Sequence, residues 1–188
     1  MARGPDLKIL ITGGNGFIGR KLRYALDSRG HRVVSAVREV AGEGDVAIGD
    51  IGPKTAWLRA LEGCEAVVHL AARAHILRDS VGDAHRLYHP VNCLATLNLA
   101  RQAEISGVKR FVFISSIGVN GNRTELNAFT EEDTPNPVGH YAISKYEAEV
   151  GLIEIAEKTD MEITILRPPL VYGPGGRGNF QRLLWIVR

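Results

Sequence analysis

Cysteine and long apolar runs are scarce in this sequence. Cys64 and Cys93 are the two cysteines among 188 residues, and no Cys-x-x-Cys pair occurs. Two separate thiols exclude a disulfide-stapled scaffold and a cysteine-based redox or zinc motif, and they favour a reducing compartment. No run of about 18 apolar residues exists, which excludes a membrane-spanning helix, and residues 1–6 lack the apolar core of a signal peptide. We therefore expect a cytoplasmic protein with no membrane partner.

Neither sign of charge dominates. Lys and Arg number 23 and Asp and Glu 21, for a formal net charge of +2. A surface of such mixed charge has no strong field that would attract a polyanion, so we expect no nucleic-acid partner. The hydrophobic share of 45% and the charged share of 23% are ordinary for globular proteins, and they exclude a disordered or fibrous chain.

The sequence does contain a regular alternation of short apolar runs and longer helical patterns. The predicted strands are β-branched and apolar on both faces, and they span residues 7–12, 32–37, 66–71, 111–115 and 162–167, with a short extended piece at 44–51. The predicted helices span residues 17–29, 53–61, 92–106 and 141–158. Strands of this kind, alternating with helices, form βαβ units. We predict an α/β fold, a doubly wound, Rossmann-like parallel sheet with helices on both faces.

A glycine-rich turn joins the first predicted strand to the first predicted helix. It reads Thr12-Gly13-Gly14-Asn15-Gly16-Phe17-Ile18-Gly19. Gly13 permits the tight turn, Gly16 lets the backbone approach a diphosphate, and Gly19 lets the helix pack close to the strand. The helix would then present free N–H groups and its positive dipole end to the phosphates. This context predicts a dinucleotide site rather than a merely structural turn.

Tyr141 and Lys145, four residues apart near the start of the last long helix, are candidates for acid-base catalysis. Their spacing places both side chains on nearly one face of the helix. A neighbouring ammonium group favours the phenolate, so Lys145 is expected to lower the pKa of Tyr141 toward neutral pH. Ser116 follows the predicted strand 111–115, and ligands of parallel sheets bind outside the carboxyl ends of the strands. Ser116 is therefore placed to hydrogen-bond the oxygen that reacts.

The order of these motifs resembles the extended branch of the short-chain dehydrogenase/reductase superfamily, the NAD-dependent epimerase/dehydratase family. The glycine spacing GxxGxxG, the Tyr-x-x-x-Lys pair and the stretch RPPLVYGPG at 167–175 stand in the family's order. The resemblance implies a catalytic set of Ser116, Tyr141, Lys145 and Asn92, in which Asn92 supports the geometry of the site. It also implies a set of cofactor contacts: Gly13, Asn15, Gly16, Phe17, Ile18, Gly19, Arg38, Asp50, Ile51, Leu70, Ala71, Ala72, Tyr141, Lys145 and Pro168.

The identity of the dinucleotide stays open at this point. Arg38, just after the second predicted strand, could pair with a 2′-phosphate and favour NADP, whereas Glu39 could reach the ribose hydroxyls of NAD. Both could also be solvated loop charges. Asp50 resembles the family residue that contacts the adenine amino group, but it could instead cap a helix that starts at Pro53. We expect NAD, with NADP as the alternative because of Arg38.

Among the reactions of the family, the residues favour epimerisation. Dehydratases carry an Asp-Glu pair directly after the active-site hydroxyl, whereas Ile117 and Gly118 follow Ser116 here. The resemblance is strongest to bacterial 4-epimerases of UDP-sugars, which serve O-antigen and other polysaccharide synthesis. It implies that Tyr141 takes the proton of the sugar 4-hydroxyl, that Ser116 holds the oxygen of a transient 4-keto sugar, and that NAD stays bound.

Other functions are compatible with the same residues. A reductase of a sugar or carbonyl compound would use the same Ser, Tyr and Lys but exchange NADPH at each turnover. A non-catalytic dinucleotide-binding regulator would keep the fold, although such sensors usually lose the Tyr or the Lys. An incomplete fragment with an interaction role is a third alternative.

The motif order also predicts the domain organisation. We assign residues 1–175 to a dinucleotide-binding domain and 176–188 to the start of a truncated substrate-binding region, since members of the extended branch carry a further domain after the stretch RPPLVYGPG. In that region, Asn179 and Phe180 match the positions where the epimerases meet the UDP diphosphate of the nucleotide-sugar substrate, although Asn179 could equally cap a helix. We expect this chain to bind the dinucleotide but to turn over poorly alone.

The remaining expectations concern partners and metals. The helices that begin near residues 92 and 141 resemble those that pair two subunits in the family, so we expect a homodimer, although the same apolar spacing suits packing on the sheet. We expect no metal site, because metal-ligand spacing was not evident among His69, His75, His85, His89 and His140.

Overall fold

The computed structural model describes residues 6–40, 42–74, 84–124 and 127–175, and its centre is a six-stranded sheet in which every pair of neighbours is parallel. The strand order is β3-β2-β1-β4-β5-β6. The strands are β1 Lys8–Thr12, β2 Arg32–Val37, β3 Asp45–Ala47, β4 Ala66–His69, β5 Arg110–Ile114 and β6 Glu162–Leu166. The helices are α1 Phe17–Asp27, α2 Leu58–Leu61, α3 Ala84–His89, α4 Ala95–Ile105 and α5 His140–Ala156.

The chain builds the sheet outward in both directions from β1. Strand β2 lies on one side of β1 and β4 on the other, so that Thr12 is level with Ala36 and with His69. In open parallel sheets such a reversal of strand order leaves a crevice outside the carboxyl ends of the strands. The glycine-rich turn begins at this crevice, directly after Thr12.

Both faces of the sheet are covered, as predicted for a doubly wound fold, and β1 shows how the sequence achieves this. Leu10 lies in the larger apolar cluster, and the neighbouring Ile9 and Ile11 lie in a smaller one. Alternate residues of a strand point to opposite sides, so both faces of β1 must be apolar. The larger cluster contains residues of β5, α4 and α5, among them Phe111, Phe113, Leu99 and Leu152. The smaller cluster packs against Leu22 and Leu26 of α1.

Two helices begin three or more residues away from their predicted starts, whereas the other helix boundaries lie within two residues of the prediction. The helix expected over residues 53–61 begins only at Leu58. The helix expected over 92–106 is preceded by α3, and a π-helical turn, Pro90–Leu94, joins α3 to α4. In this turn the N–H of Ala95 donates to the carbonyl of the proline five residues earlier. Pro90 has no N–H to continue the hydrogen bonding of α3 and its ring crowds the preceding turn, so the regular α-helical pattern is interrupted here.

Candidate functional site

The glycine-rich turn has the geometry that its sequence predicts. Gly13 has a φ of +70°, and the N–H of Gly16 donates to its carbonyl at 2.9 Å. A Cβ atom at position 19 would lie 2.2 Å from that carbonyl oxygen, closer than any real contact. Gly19 therefore allows α1, which begins at Phe17, to start directly above the turn. The free N–H groups of this helix end are available to an anion.

A cavity of about 1010 Å³ runs from this turn past the carboxyl ends of β2, β3 and β4. Seven of the predicted cofactor contacts line it: Gly13, Asn15, Arg38, Asp50, Ile51, Ala71 and Ala72. A Cβ atom on Gly13 would lie 2.9 Å from the backbone nitrogen of Ala71, so the wall is formed by backbone held close together. The Thr12 hydroxyl accepts that same N–H at 3.1 Å. A long crevice between glycine backbone and small side chains fits an extended dinucleotide.

The charges at the mouth of this cavity are paired with each other. Arg38 Nε lies 2.7 Å from Asp50 Oδ1, and the two side chains are 76% and 82% exposed. Asp50 does not cap α2, because that helix begins eight residues later. An ion pair this exposed contributes little stability, so either partner is free to exchange it for a ligand. The pair leaves the choice between NAD and NADP open.

Other predicted contacts lie near the cavity or farther along the same sheet edge. Leu70 directly follows β4, and its N–H donates to the Thr12 carbonyl at 3.3 Å. Phe17 is half-buried and lies next to Gly173, since a Cβ atom added to Gly173 would be 3.6 Å from the Phe17 ring. Ile18 is exposed. The Pro168 carbonyl accepts the N–H of Ile117 at 3.1 Å. Asn179 and Phe180 lie outside the residues that the structure describes.

The candidate catalytic pair lies on α5. Tyr141, in the first turn, is half-buried, and its ring meets the edge of Tyr88 at 6.1 Å between centroids. Lys145, one turn later, is only 1% exposed, and its Nζ lies 4.0 Å from the centroid of the Phe113 ring. The ring face partly replaces the water that the ammonium loses on burial.

The pKa of Tyr141 differs in direction from the expectation. Burial raises it, and Tyr88 raises it further. Burial also lowers the pKa of Lys145 to about 7, against an opposing effect of Glu149. Burial dominates both shifts, so the expected lowering of the Tyr141 pKa is not observed.

Ser116 and Asn92 occupy different kinds of position. The Ser116 hydroxyl accepts the N–H of Gly118 at 3.1 Å and caps a 3₁₀ turn, Ile117–Val119, that packs against the start of α5. Asn92 is fully buried and bonds both backbone groups of Arg73 and the hydroxyl of Ser144, at 2.8 to 3.0 Å. Asn92 therefore joins the segment after β4 to α5.

The family model of the NAD dependent epimerase/dehydratase family matches residues 9–185. The chain belongs to this family. The match covers the glycine-rich turn, the cavity and the Tyr-x-x-x-Lys helix together, so the predicted family is confirmed.

Relatives within the family share about half of their length with this chain. The UDP-glucose 4-epimerase of Vibrio cholerae is 44% identical over 184 residues, which are 95% of this chain and 56% of that protein. An N-acetyl-alpha-D-glucosaminyl-diphospho-ditrans,octacis-undecaprenol 4-epimerase of Escherichia coli O157:H7 is 35% identical over 181 residues, 94% of this chain and 52% of that protein. The UDP-glucuronic acid 4-epimerase of Bacillus cereus, solved with UDP-glucuronic acid and NAD, has a TM-score of 0.79 at 26% identity, covering 91% of this chain and 59% of that one.

The helix that carries the candidate catalytic pair also contributes to a buried ionic network, which the sequence pattern did not predict. Glu149 accepts hydrogen bonds from the Ser115 hydroxyl and from Arg167, whose Nε is 3.1 Å from each carboxylate oxygen. Arg167 also donates to Asn120 Oδ1 at 3.1 Å. The available signal was the spacing of Glu149, one further turn along the helix face of Tyr141 and Lys145.

His69 is another buried polar group at the site, directly behind the cavity wall. It is fully buried, and its ring nitrogens pair with the Thr12 and Thr96 hydroxyls at 2.6 and 2.9 Å. Burial lowers its pKa to about 3, so it is neutral at physiological pH. His69 is thus a core histidine that joins β1, β4 and α4 behind the turn.

Within the part of the chain that the structure describes, every helix is too short or too polar to cross a bilayer.

Proposed function

We propose that the protein to which this chain belongs is an NAD-dependent 4-epimerase of UDP-sugars. The observation that carries the proposal is the position of Tyr141 and Lys145 on one face of α5, in a chain that also has a dinucleotide-sized crevice at the switch point of its sheet. The 44% identity to the Vibrio cholerae UDP-glucose 4-epimerase supports the UDP-sugar class. We also propose that the epimerised UDP-sugar is used in the synthesis of polysaccharide or O-antigen.

NAD is the proposed cofactor, and the residues of the crevice fit it. Backbone at Gly13 and Gly16 and the N-terminus of α1 would hold the diphosphate. Asp50 and Ile51 would bind the adenine end once Asp50 exchanges its exposed pairing with Arg38. The nicotinamide supplies reversible oxidation of the sugar C4 when NAD is bound. NADP is the alternative, with Arg38 on the 2′-phosphate.

In the proposed reaction, Tyr141 accepts the proton of the sugar 4-hydroxyl and later returns it. Because burial raises the pKa of Tyr141, its phenolate needs a neighbouring positive charge. Lys145 supplies that charge one helical turn away and, with a pKa of about 7, is protonated in a substantial fraction at neutral pH. Ser116 donates its hydroxyl to the oxygen at C4. Asn92 holds the segment after β4, at Arg73, against α5.

The proposal also covers the parts of the protein that contact other molecules. Asn179 and Phe180 would meet the substrate diphosphate, and residues 176–188 would begin the substrate-binding region.

A homodimer would use the α4–α5 face; on α5, Val150 and Ile153 are 40% and 50% exposed. A cytoplasmic location is proposed because Cys64 and Cys93 are separate free thiols.

The test is conversion of UDP-glucose or UDP-N-acetylglucosamine by the product of the full reading frame, with NAD and no added reductant. Appearance of the C4 epimer in the NMR spectrum supports the proposal. Turnover only with consumption of NADPH would contradict it and favour a reductase. Conversion of a polyprenyl-diphosphate-linked sugar but not of UDP-sugars would instead assign the substrate class of the Escherichia coli relative. The 188-residue chain is assayed in parallel, and it is expected to bind NAD with little turnover.

A further inference from the structure

Two histidines and a glutamate meet between α3 and α5, outside the site described above. His85 Nε2 lies 3.2 Å from Glu147 Oε1, and His89 Nδ1 lies 2.6 Å from Oε2 of the same carboxylate. The two imidazole rings stack, with centroids 4.8 Å apart and 22° between their planes. One ligand atom from each of the three residues lies within 4.8 Å of the other two.

We propose that His85, His89 and Glu147 form a binding site for a divalent transition-metal cation, with Zn²⁺ as its occupant. Residues four apart on a helix share a face, which directs both imidazoles of α3 toward the same point. Two imidazoles and one carboxylate form a donor set that suits Zn²⁺ and its neighbours Cu²⁺, Ni²⁺ and Co²⁺. The site differs from the expectation of no metal because the third ligand comes from another helix, 58 positions along the chain from His89.

The three ligand atoms are close enough to converge on one cation. Metal–ligand bonds of about 2.0 to 2.2 Å place neighbouring ligand atoms roughly 3.3 to 3.5 Å apart. The contacts of His85 and His89, at 3.2 and 2.6 Å, are to different oxygens of Glu147, and one ligand atom of each residue lies within 4.8 Å of the other two. Convergence on one cation therefore requires side-chain shifts of about 1 to 1.5 Å. The side chains of His85, His89 and Glu147 are 44%, 28% and 33% exposed, so a cation can reach them and keep a water molecule as its fourth ligand.

A cation at this site would link α3 to α5, the two helices that carry Tyr88 and Tyr141. Helix α3 places Tyr88 against the ring of Tyr141, and α5 carries Tyr141 itself. Hydrogen bonds alone connect His85 and His89 to Glu147 in this structure, and they can exchange with water. Metal–ligand bonds would hold α3 on α5 more firmly, and with it the contact between the two tyrosines. The role is structural, since no ligand of the proposed site is a residue of the proposed reaction.

The proposal is tested on the protein without a polyhistidine tag, after removal of bound metal by chelator dialysis. Zn²⁺ is titrated in competition with a chromophoric chelator, and we expect one Zn²⁺ per chain with micromolar or tighter affinity. The double variant H85A/H89A, and separately E147Q, should each weaken binding at least about tenfold, since loss of a mere supporting group already costs that much at metal sites. H31N is the matched control, because His31 is a partly exposed histidine that accepts the N–H of Leu7 far from α3. H31N should leave the affinity unchanged.

A second readout covers the case in which a variant folds poorly. Co²⁺ added to the wild-type protein should produce the visible absorption bands of a tetrahedral nitrogen–oxygen site, and one equivalent of Zn²⁺ should abolish them. Circular dichroism verifies that E147Q keeps its fold. The proposal is overturned if the wild-type protein takes up no Zn²⁺ at about 100 μM, where a micromolar site would be saturated. It is equally overturned if uptake is the same in the wild type and in folded E147Q.

Discussion

Glu149 and Arg167 form a buried ion pair that ties the middle of α5 to the residue directly after β6. Arg167 Nη2 lies 2.5 Å from Glu149 Oε2, and the side chains are 20% and 2% exposed. Because α5 also carries Tyr141 and Lys145, this pair holds the candidate catalytic helix in register with the carboxyl ends of the strands.

Removing the carboxylate should destabilise the protein strongly. Glu149→Ala leaves Arg167 and the Ser115 hydroxyl without their acceptor, and breaking a buried pair from one side costs about 3 to 5 kcal/mol. Arg110→Ala is the control, because the ion pair of Arg110 with Glu162 is 60% and 71% exposed and should contribute about 0 to 1 kcal/mol. Urea denaturation gives both free energies of unfolding. Equal losses in the two variants would contradict the structural role of Glu149.

Gly19→Ala should be disruptive for steric reasons. The added Cβ would lie 2.2 Å from the Gly13 carbonyl oxygen and 2.7 Å from Gly14 Cα, so the turn or α1 must shift. We expect a loss of about 1 to 3 kcal/mol and weaker binding of NAD. Gly42→Ala is the control, since a Cβ there meets nothing within 4 Å. Thermal unfolding and NAD titration measure the two effects. If Gly19→Ala kept the wild-type stability and NAD affinity, position 19 would not lie this close to the Gly13 carbonyl.

Lys145 should make stability depend on pH. Its pKa falls from 10.5 to about 7 on burial, so between these values the unfolded chain binds more protons than the folded one. The contribution of Lys145 to the free energy of unfolding therefore rises with pH between about 7 and 10.5, by at most about 1.4 kcal/mol per pH unit.

Lys145→Met should remove this rise, whereas Lys158→Met, at a side chain that is 73% exposed, should keep it. Urea denaturation at several pH values from neutral to alkaline measures the slopes. If the free energy of unfolding had the same slope against pH in the wild type and in Lys145→Met, burial would not lower the pKa of Lys145.

Tyr141→Phe should abolish the proposed epimerisation while leaving NAD binding almost intact. The substitution removes the hydroxyl that exchanges the proton but keeps the ring against Tyr88, and positioned acid-base groups contribute about 10² to 10⁴-fold in rate. Tyr24→Phe, at a residue that is 76% exposed, is the matched control with unchanged rate. Steady-state turnover of the full-length protein is measured. Retained turnover in Tyr141→Phe would remove Tyr141 from its proposed role.

Arg38→Ala should change the preference between the two dinucleotides. A lost charged hydrogen bond costs about 1.5 to 3 kcal/mol, so the Kd for NADP should rise by about tenfold or more, with that for NAD within about twofold. Arg32→Ala is the control, because Arg32 pairs with Asp6 at the opposite end of β2. Isothermal titration of both dinucleotides measures the ratio. An unchanged ratio would leave Arg38 as a surface charge.

Particular residues show how far sequence reasoning extended into the site. Gly13, Asp50 and Ala71 were predicted to share one site, and they line one cavity, because each follows a strand whose carboxyl end must lie at the same edge of a parallel sheet. Which side chains hold a substrate stays a prediction. The predicted lowering of the Tyr141 pKa was wrong, because the shift depends on burial and on Tyr88, which lies on α3, a helix that the sequence pattern did not predict.

The sequence by itself determined the alternation of parallel strands and helices and the glycine-rich turn. These features follow from the local period of apolar residues and from backbone angles that only glycine adopts without strain. The tertiary structure alone decided that Glu149 meets Arg167, that Arg38 meets Asp50, and that Glu147 lies between two histidines. The partners in these pairs are 18, 12 and up to 62 positions apart, so only the folded chain brings them within contact distance.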